Sequence, residues 1–205
     1  RILTEMSVSR EAENLFILVT AATAQWHDRE WLERHMPSDA AFTMTDWTNK
    51  MSTLIVTGPA SRDLMAQICE ADLDLPWLSL QETAIAGGWA ALVRLSFAGE
   101  LGWEIHAENA DIAAIYDAVL AAGAKPFGMY ALNSLRIEKG YRAWKGDLST
   151  DYSLLEGGLD RFIKLDKPQD FPGKAAIMAE KQRGVAKRFV TLIVDAGDCD
   201  APYMS

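Results

Sequence analysis

At 205 residues the chain is long enough for one large domain or two small ones with sizeable cores. With 49% hydrophobic and 24% charged residues it has the composition of a soluble globular protein, not of a disordered one. A net charge of −9 argues against a nucleic-acid surface, because phosphate binding needs a basic face.

Ile2 to Val8 and Leu15 to Ala21 are expected to be strands joined across the polar turn 9–14. Ala24 to Met36 is expected to be a helix, with Ala24, Trp31, Leu32 and His35 near one face and Pro37 as its stop. Ala40 to Trp47 and Ser52 to Thr57 are strand-like. Pro59 opens a helix whose inner face carries Leu64, Met65, Ile68 and Cys69. Gly87-Gly88 is expected to turn a hairpin between Thr83 to Ala86 and Trp89 to Ser96. A strand, Trp103 to Ala107, and a helix, Asp111 to Ala121, follow. Gly123 ends that helix.

Gly128 to Lys139 is then a helix closed by Gly140 in the left-handed region. Phe162 to Leu165 and Lys187 to Val194 are expected strands, with a helix over Gly173 to Arg183 between them. The order implies an α+β chain of antiparallel sheets with helices packed on one face: a ferredoxin-like insertion plus part of a second α+β domain. The expected boundaries are 1–50 for the second half of a first domain, 51–124 for the insertion, 125–185 for the return, and 186–205 for the start of a further barrel. A chain that begins at Arg1 and stops in a turn after an apolar strand reads as a fragment.

Several chemistries are excluded. No apolar run approaches the roughly eighteen residues of a membrane-spanning helix. Cys69 and Cys199 lie far apart in no metal or redox spacing, which suits small buried hydrophobes in a reducing, cytoplasmic compartment. His27, His35 and His106 form no cluster with them, so no metal site is expected. There is no phosphate loop, dinucleotide fingerprint or nucleophile motif.

Two stretches carry the remaining signal. Phe97-Ala98-Gly99-Glu100-Leu101-Gly102-Trp103-Glu104-Ile105 puts a carboxylate on a strand just after a glycine turn. About thirty residues on, Gly128 to Trp144 reads as a helix ending in a glycine and an aromatic hook. On the strand, Glu104, His106 and Glu108 share one face and Trp103, Ile105 and Ala107 the other. Pattern alone allows either a solvated polar face or a binding carboxylate.

Together these stretches resemble the folate-binding core of the glycine-cleavage T-protein (aminomethyltransferase) family, in the flavour found at the C-terminal end of dimethylglycine and sarcosine dehydrogenases. The resemblance runs from Ile2 to about Val194. It implies a tetrahydrofolate-dependent one-carbon transfer domain, taking an aminomethyl or methylene unit from an N-methyl amine or aminomethyl donor. Glu104 matches the family carboxylate that receives the paired N–H donors of the pterin. Phe97 matches an aromatic set against that ring. Trp144 matches an aromatic after the helix, usually Tyr, that either lines the folate site or plugs the core.

Glu5 matches the acidic residue, normally Asp, that assists transfer, while Thr4 replaces the acid before it. Leu132-Asn133 stand where the T-protein branch carries Arg-Asp, so a contact for the folate tail is expected elsewhere. Arg136 is expected in a structural ion pair. FAD, if the full protein uses it, is expected on a separate N-terminal flavin domain. The implied partners are a folate and a methylated amine, with no nucleic acid and no membrane. The activity is expected of the full-length context. The alternatives are a non-catalytic folate-binding module, a structural remnant, and a sulfonium demethylase of the same fold.

Overall fold

The computed structural model describes residues 1–39, 42–195 and 197. Two compact units divide the chain: Arg1–Glu5 with Arg142–Ser205, and Met6–Tyr141. Cys199 lies outside the described residues.

The larger unit is built on a four-stranded antiparallel sheet in the order β3-β6-β5-β4, with β3 Met51–Thr57, β4 Leu80–Ile85, β5 Gly88–Val93 and β6 Gly102–Glu108. One face carries the core. Trp103, Ile105 and Ala107 of β6 pack there with Leu92, Ile85 and Val56, against Met65 of α2 (Ser61–Met65) and Ile115 and Val119 of α3 (Ile112–Ala121). The apolar positions recur every second residue on the strands and every fourth on α3, the spacing each geometry needs to fill one face. The chain is thus α+β with helices on one face of an antiparallel sheet. Within that class both helices precede or follow the β4-β5-β6 meander, so every neighbouring pair is antiparallel.

The β4–β5 turn lies one residue earlier than expected. Ile85 pairs with Gly88, leaving Ala86 and Gly87 at φ +52° and +83°. Positive φ at both central residues is the two-residue hairpin turn whose twist matches the strands. Gly88 instead makes room for the start of α3, since a Cβ there would lie 2.7 Å from Asp111 Cβ.

Ahead of this sheet, β1 (Met6–Ala12) and β2 (Leu15–Thr20) form a separate antiparallel hairpin. The first strand therefore begins at Met6 instead of Ile2. Helix α1 spans Gln25–His35, and Met36 turns extended (ψ 125°) because a residue before proline is excluded from the helical region. Asp28 falls on its inner face beside Ala24 and is 1% exposed. It accepts the Thr20 hydroxyl and lies 2.9 Å from His27 Nδ1, tying α1 to β2. The strand expected over Ala40 to Trp47 is not formed by residues 42–47, and its first two residues lie outside the described part.

In the smaller unit the Ile2 N–H donates to the Tyr152 carbonyl at 3.0 Å, and Ile2 and Leu148 are buried. The guanidinium of Arg142 sits 4.7 Å over the ring of Phe189. Two expected strands are absent. Phe162 closes a 3-10 turn (Asp160–Phe162) and only Ile163 after it is extended, without a ladder, while Lys187 to Val194 form no strand. The Phe189 N–H donates to the Glu156 carbonyl at 2.8 Å, but one such bond does not make a ladder, and Leu192 and Ile193 stay exposed. Helix α5, Lys174–Arg183, is as expected. Among the described residues no helix is long and apolar enough to cross a membrane.

Ile105→Ala should lower the unfolding free energy by about 3 kcal/mol, since Ile105 is fully buried at the centre of β6. Chemical denaturation of the variant against the parent measures it.

Candidate functional site

Strand alternation sends Glu104 and His106 to the sheet face away from the core. There Glu104 lies in register between Val93 of β5 and Ile55 of β3, an apolar seat on either side of the carboxylate. Its side chain is 16% exposed and that of His106 14%. His106 Nε2 lies 3.2 Å from Glu104 Oε2, and Nδ1 lies 2.8 Å from Thr53 Oγ1. A carboxylate with two oxygens keeps acceptor capacity beyond one such bond. The seat can therefore receive paired N–H donors of a flat ring laid across apolar neighbours.

Phe97 lies in the loop from β5 to β6, half-buried, with its ring stacked on Tyr141 at 6.1 Å and 15°. This aromatic pair depends on how α4 (Met129–Glu138) ends. Gly140 takes φ +77°, its N–H donates to Ile137 O at 2.8 Å, and the Tyr141 N–H donates to Arg136 O at 2.8 Å. That is the paired closure of a left-handed helix cap. Arg136, 3% exposed, donates to Asn133 Oδ1 at 2.6 and 2.9 Å and to the Tyr141 carbonyl at 3.0 Å. Where an ion pair was expected of it, Arg136 thus also clamps the backbone of the residue that Phe97 stacks against. The loop approaches α4 so closely that a Cβ on Gly99 would collide with the Lys139 side chain.

Glu5 and Trp144 come together in the smaller unit. The Trp144 backbone N–H donates to Glu5 Oε1 at 3.4 Å. Glu5 is exposed and precedes β1, so it is not a strand residue; Trp144 is half-buried in a tight loop bridged to Leu148. Of the four residues expected in the site, Glu104 and Phe97 belong to the larger unit and Glu5 and Trp144 to the smaller.

Two features went unread in the sequence. One is the bonding of His106 to Glu104, signalled only by their two-residue spacing. The other is a carboxyl pair: Glu11 on β1 meets Glu82 on β4, and burial, then the hydrogen bond and charge of Glu82, raise the Glu11 carboxyl above its usual range. No sequence pattern announces a pair so far apart along the chain and in two different sheets. Burial likewise pushes the Cys69 thiol up, against a smaller opposing pull from the Ala71 backbone. Among the described residues no His, Cys, Asp and Glu cluster could hold a metal ion.

The fold is that of an aminomethyltransferase. It matches the glycine cleavage system aminomethyltransferase T of Bartonella henselae with a TM-score of 0.77 at 23% identity, over 89% of this chain and 50% of that one. The chain belongs to the GCVT N-terminal domain family, whose sequence model matches residues 1–167. It is similar to mitochondrial dimethylglycine dehydrogenase of Rattus norvegicus, 35% identical over 98% of this chain and 24% of that protein. It is also 39% identical to mitochondrial sarcosine dehydrogenase of Mus musculus over 74% of the chain and 17% of that protein. An aminomethyltransferase of Listeria innocua is 30% identical over 91% of the chain and 51% of its own length. The chain thus spans about a quarter of the first relative and about half of the last.

Two predictions arise here. Gly140→Ala should destabilise the protein by about 1–2 kcal/mol, the cost of forcing a Cβ into the left-handed region, and should weaken the Phe97–Tyr141 stack; denaturation with near-UV circular dichroism reads both. Glu11→Gln should raise the melting temperature at pH 7.5 and lose that advantage near pH 4. The folded state holds the Glu11 proton more firmly than the unfolded chain, so the parent loses stability as pH rises through the carboxylate range, and Gln removes that loss.

Proposed function

We propose that this chain is a tetrahydrofolate-dependent one-carbon transfer domain. In this reading it accepts an aminomethyl or methylene unit from an N-methyl amine or aminomethyl donor. The single observation that carries the reading is the seat of Glu104: a largely covered carboxylate between two apolar side chains, on the strand that bears the family motif. A pterin presents adjacent N–H donors on a flat ring, which is what such a seat accepts. Glu104 would receive those donors, and Phe97, held by Tyr141, would lie against the ring.

Reduced folate supplies the amine nitrogens that take up the carbon. This chain's part in the transfer falls to Glu5, whose carboxylate would hold or accept a proton from the attacking amine and balance positive charge as it grows. Trp144, whose N–H engages Glu5, would position it. In the proposed organisation 1–50 and 125–185 are parts of one folate-binding domain, 51–124 a second domain, and 186–205 the opening of a barrel. The proposed donor-side partner is a flavin domain of the same full-length protein. The replacement of the preceding acid by Thr4, with Glu in place of Asp, favours a second reading: a module that binds folate without turning it over.

Glu104→Gln should weaken tetrahydrofolate binding at least tenfold, because one acceptor oxygen becomes a donor. Isothermal titration of parent and variant measures it, and equal affinities would sink the proposal. Glu5→Ala should leave affinity within about twofold and lower turnover about a hundredfold, in the range of a lost general base. Unchanged turnover would transfer the argument to the non-catalytic module.

A further inference from the structure

The face that carries Glu104 also holds a residue bonded at both ends. Directly across from Thr53 in the β3–β6 register, His106 reaches Thr53 Oγ1 with Nδ1 and Glu104 Oε2 with Nε2. An ionised carboxylate only accepts, so Nε2 carries the proton and donates it. In the neutral ring Nδ1 is then an acceptor, and the Thr53 hydroxyl donates to it. Each hydrogen bond fixes the next: the Glu104 carboxylate sets the tautomer, the tautomer leaves Nδ1 an acceptor, and the Thr53 hydroxyl turns its proton to that nitrogen and anchors the ring. The same logic governs histidines oriented by a second partner at functional sites.

We propose that His106 is a positioning residue for the Glu104 seat, with Thr53 as the group that anchors its ring. This rests on the reading of Glu104 as the carboxylate that receives a folate ring. A glutamate side chain has three rotatable bonds, and a ligand that must order them gives up affinity. His106 removes that cost by holding Oε2 in advance, so the remaining acceptor positions face the ligand. Among the described residues, the other charged groups in the sheet rows of this face are acidic: Glu82, across Ala91 in the His106 row, its partner Glu11, and Glu108 two residues along β6. They offer Glu104 no donor in place of the imidazole.

The test is a titration of the full chain with tetrahydrofolate for the parent, Glu104→Gln, His106→Leu and His106→Gln, with melting temperatures alongside. Glutamine keeps an N–H near the place of Nε2, whereas leucine keeps only bulk. His106→Leu is expected to bind about tenfold more weakly at an unchanged melting temperature, and His106→Gln to stay within about threefold of the parent. Parent-like binding by His106→Leu, beside impaired Glu104→Gln, overturns the positioning role and leaves the folate reading standing. Equal weakening in both His106 variants overturns it too, since shape alone would then matter. A parent that binds no tetrahydrofolate, or a Glu104→Gln variant that binds like the parent, overturns both.

Discussion

The two faces of strand β6 are the constraint on which the larger unit depends. Because successive side chains of a strand point to opposite sides, one short strand serves two incompatible roles. Trp103, Ile105 and Ala107 close the core under α2 and α3, and Glu104 and His106 line the opposite face. A slip of one residue in the register with β3 or β5 would exchange them, burying a carboxylate and exposing a tryptophan. The hydrophobic force that folds this unit is therefore also what aims the carboxylate. Stability and site share a single register.

The second fixed point is the end of α4. A helix leaves its last carbonyls without intrahelical partners. Here Gly140 and Tyr141 satisfy two of them, while Arg136 folds back onto the Tyr141 carbonyl. The turn directs Tyr141 to the Phe97 ring, and Gly99 lets the Phe97 loop approach Lys139. Both Asn133 and a backbone oxygen take donors of Arg136 in this assembly. Asn133, where the resemblance implies an acid in the T-protein branch, serves that clamp, since an amide oxygen accepts as an acid oxygen does.

Family membership and function remain different kinds of statement, because one fold hosts several chemistries. Among the relatives of this chain are proteins named as transferases and proteins named as dehydrogenases. In the function proposed above, the residues around Glu104 meet the acceptor and leave the donor unspecified. Glu5 stands where the resemblance to the family implies an Asp, and its carboxylate accepts the Trp144 backbone N–H. The longer side chain still finds a backbone donor, yet its carboxylate stands one methylene further out than that of an Asp.

Much of the fold was legible because it is local. The 3.6-residue stripe of α3, the proline after Met36, the glycine after α4 and the alternation of β6 each specify structure within a few neighbouring residues. The same alternation placed Glu104 and His106 on one face, and the motif around Glu104 identified the family. The strands expected over residues 42–47 and 187–194 do not form for the opposite reason: such a run specifies only a tendency, and a strand exists only where a second chain segment completes its hydrogen bonds. What the tertiary structure alone decided are the pairings across distance: Thr53 with His106, Glu11 with Glu82, Thr20 with Asp28, Phe97 with Tyr141. Such contacts depend on which faces meet when the core closes. A linear pattern names the face a side chain takes, but only the folded register names its neighbour.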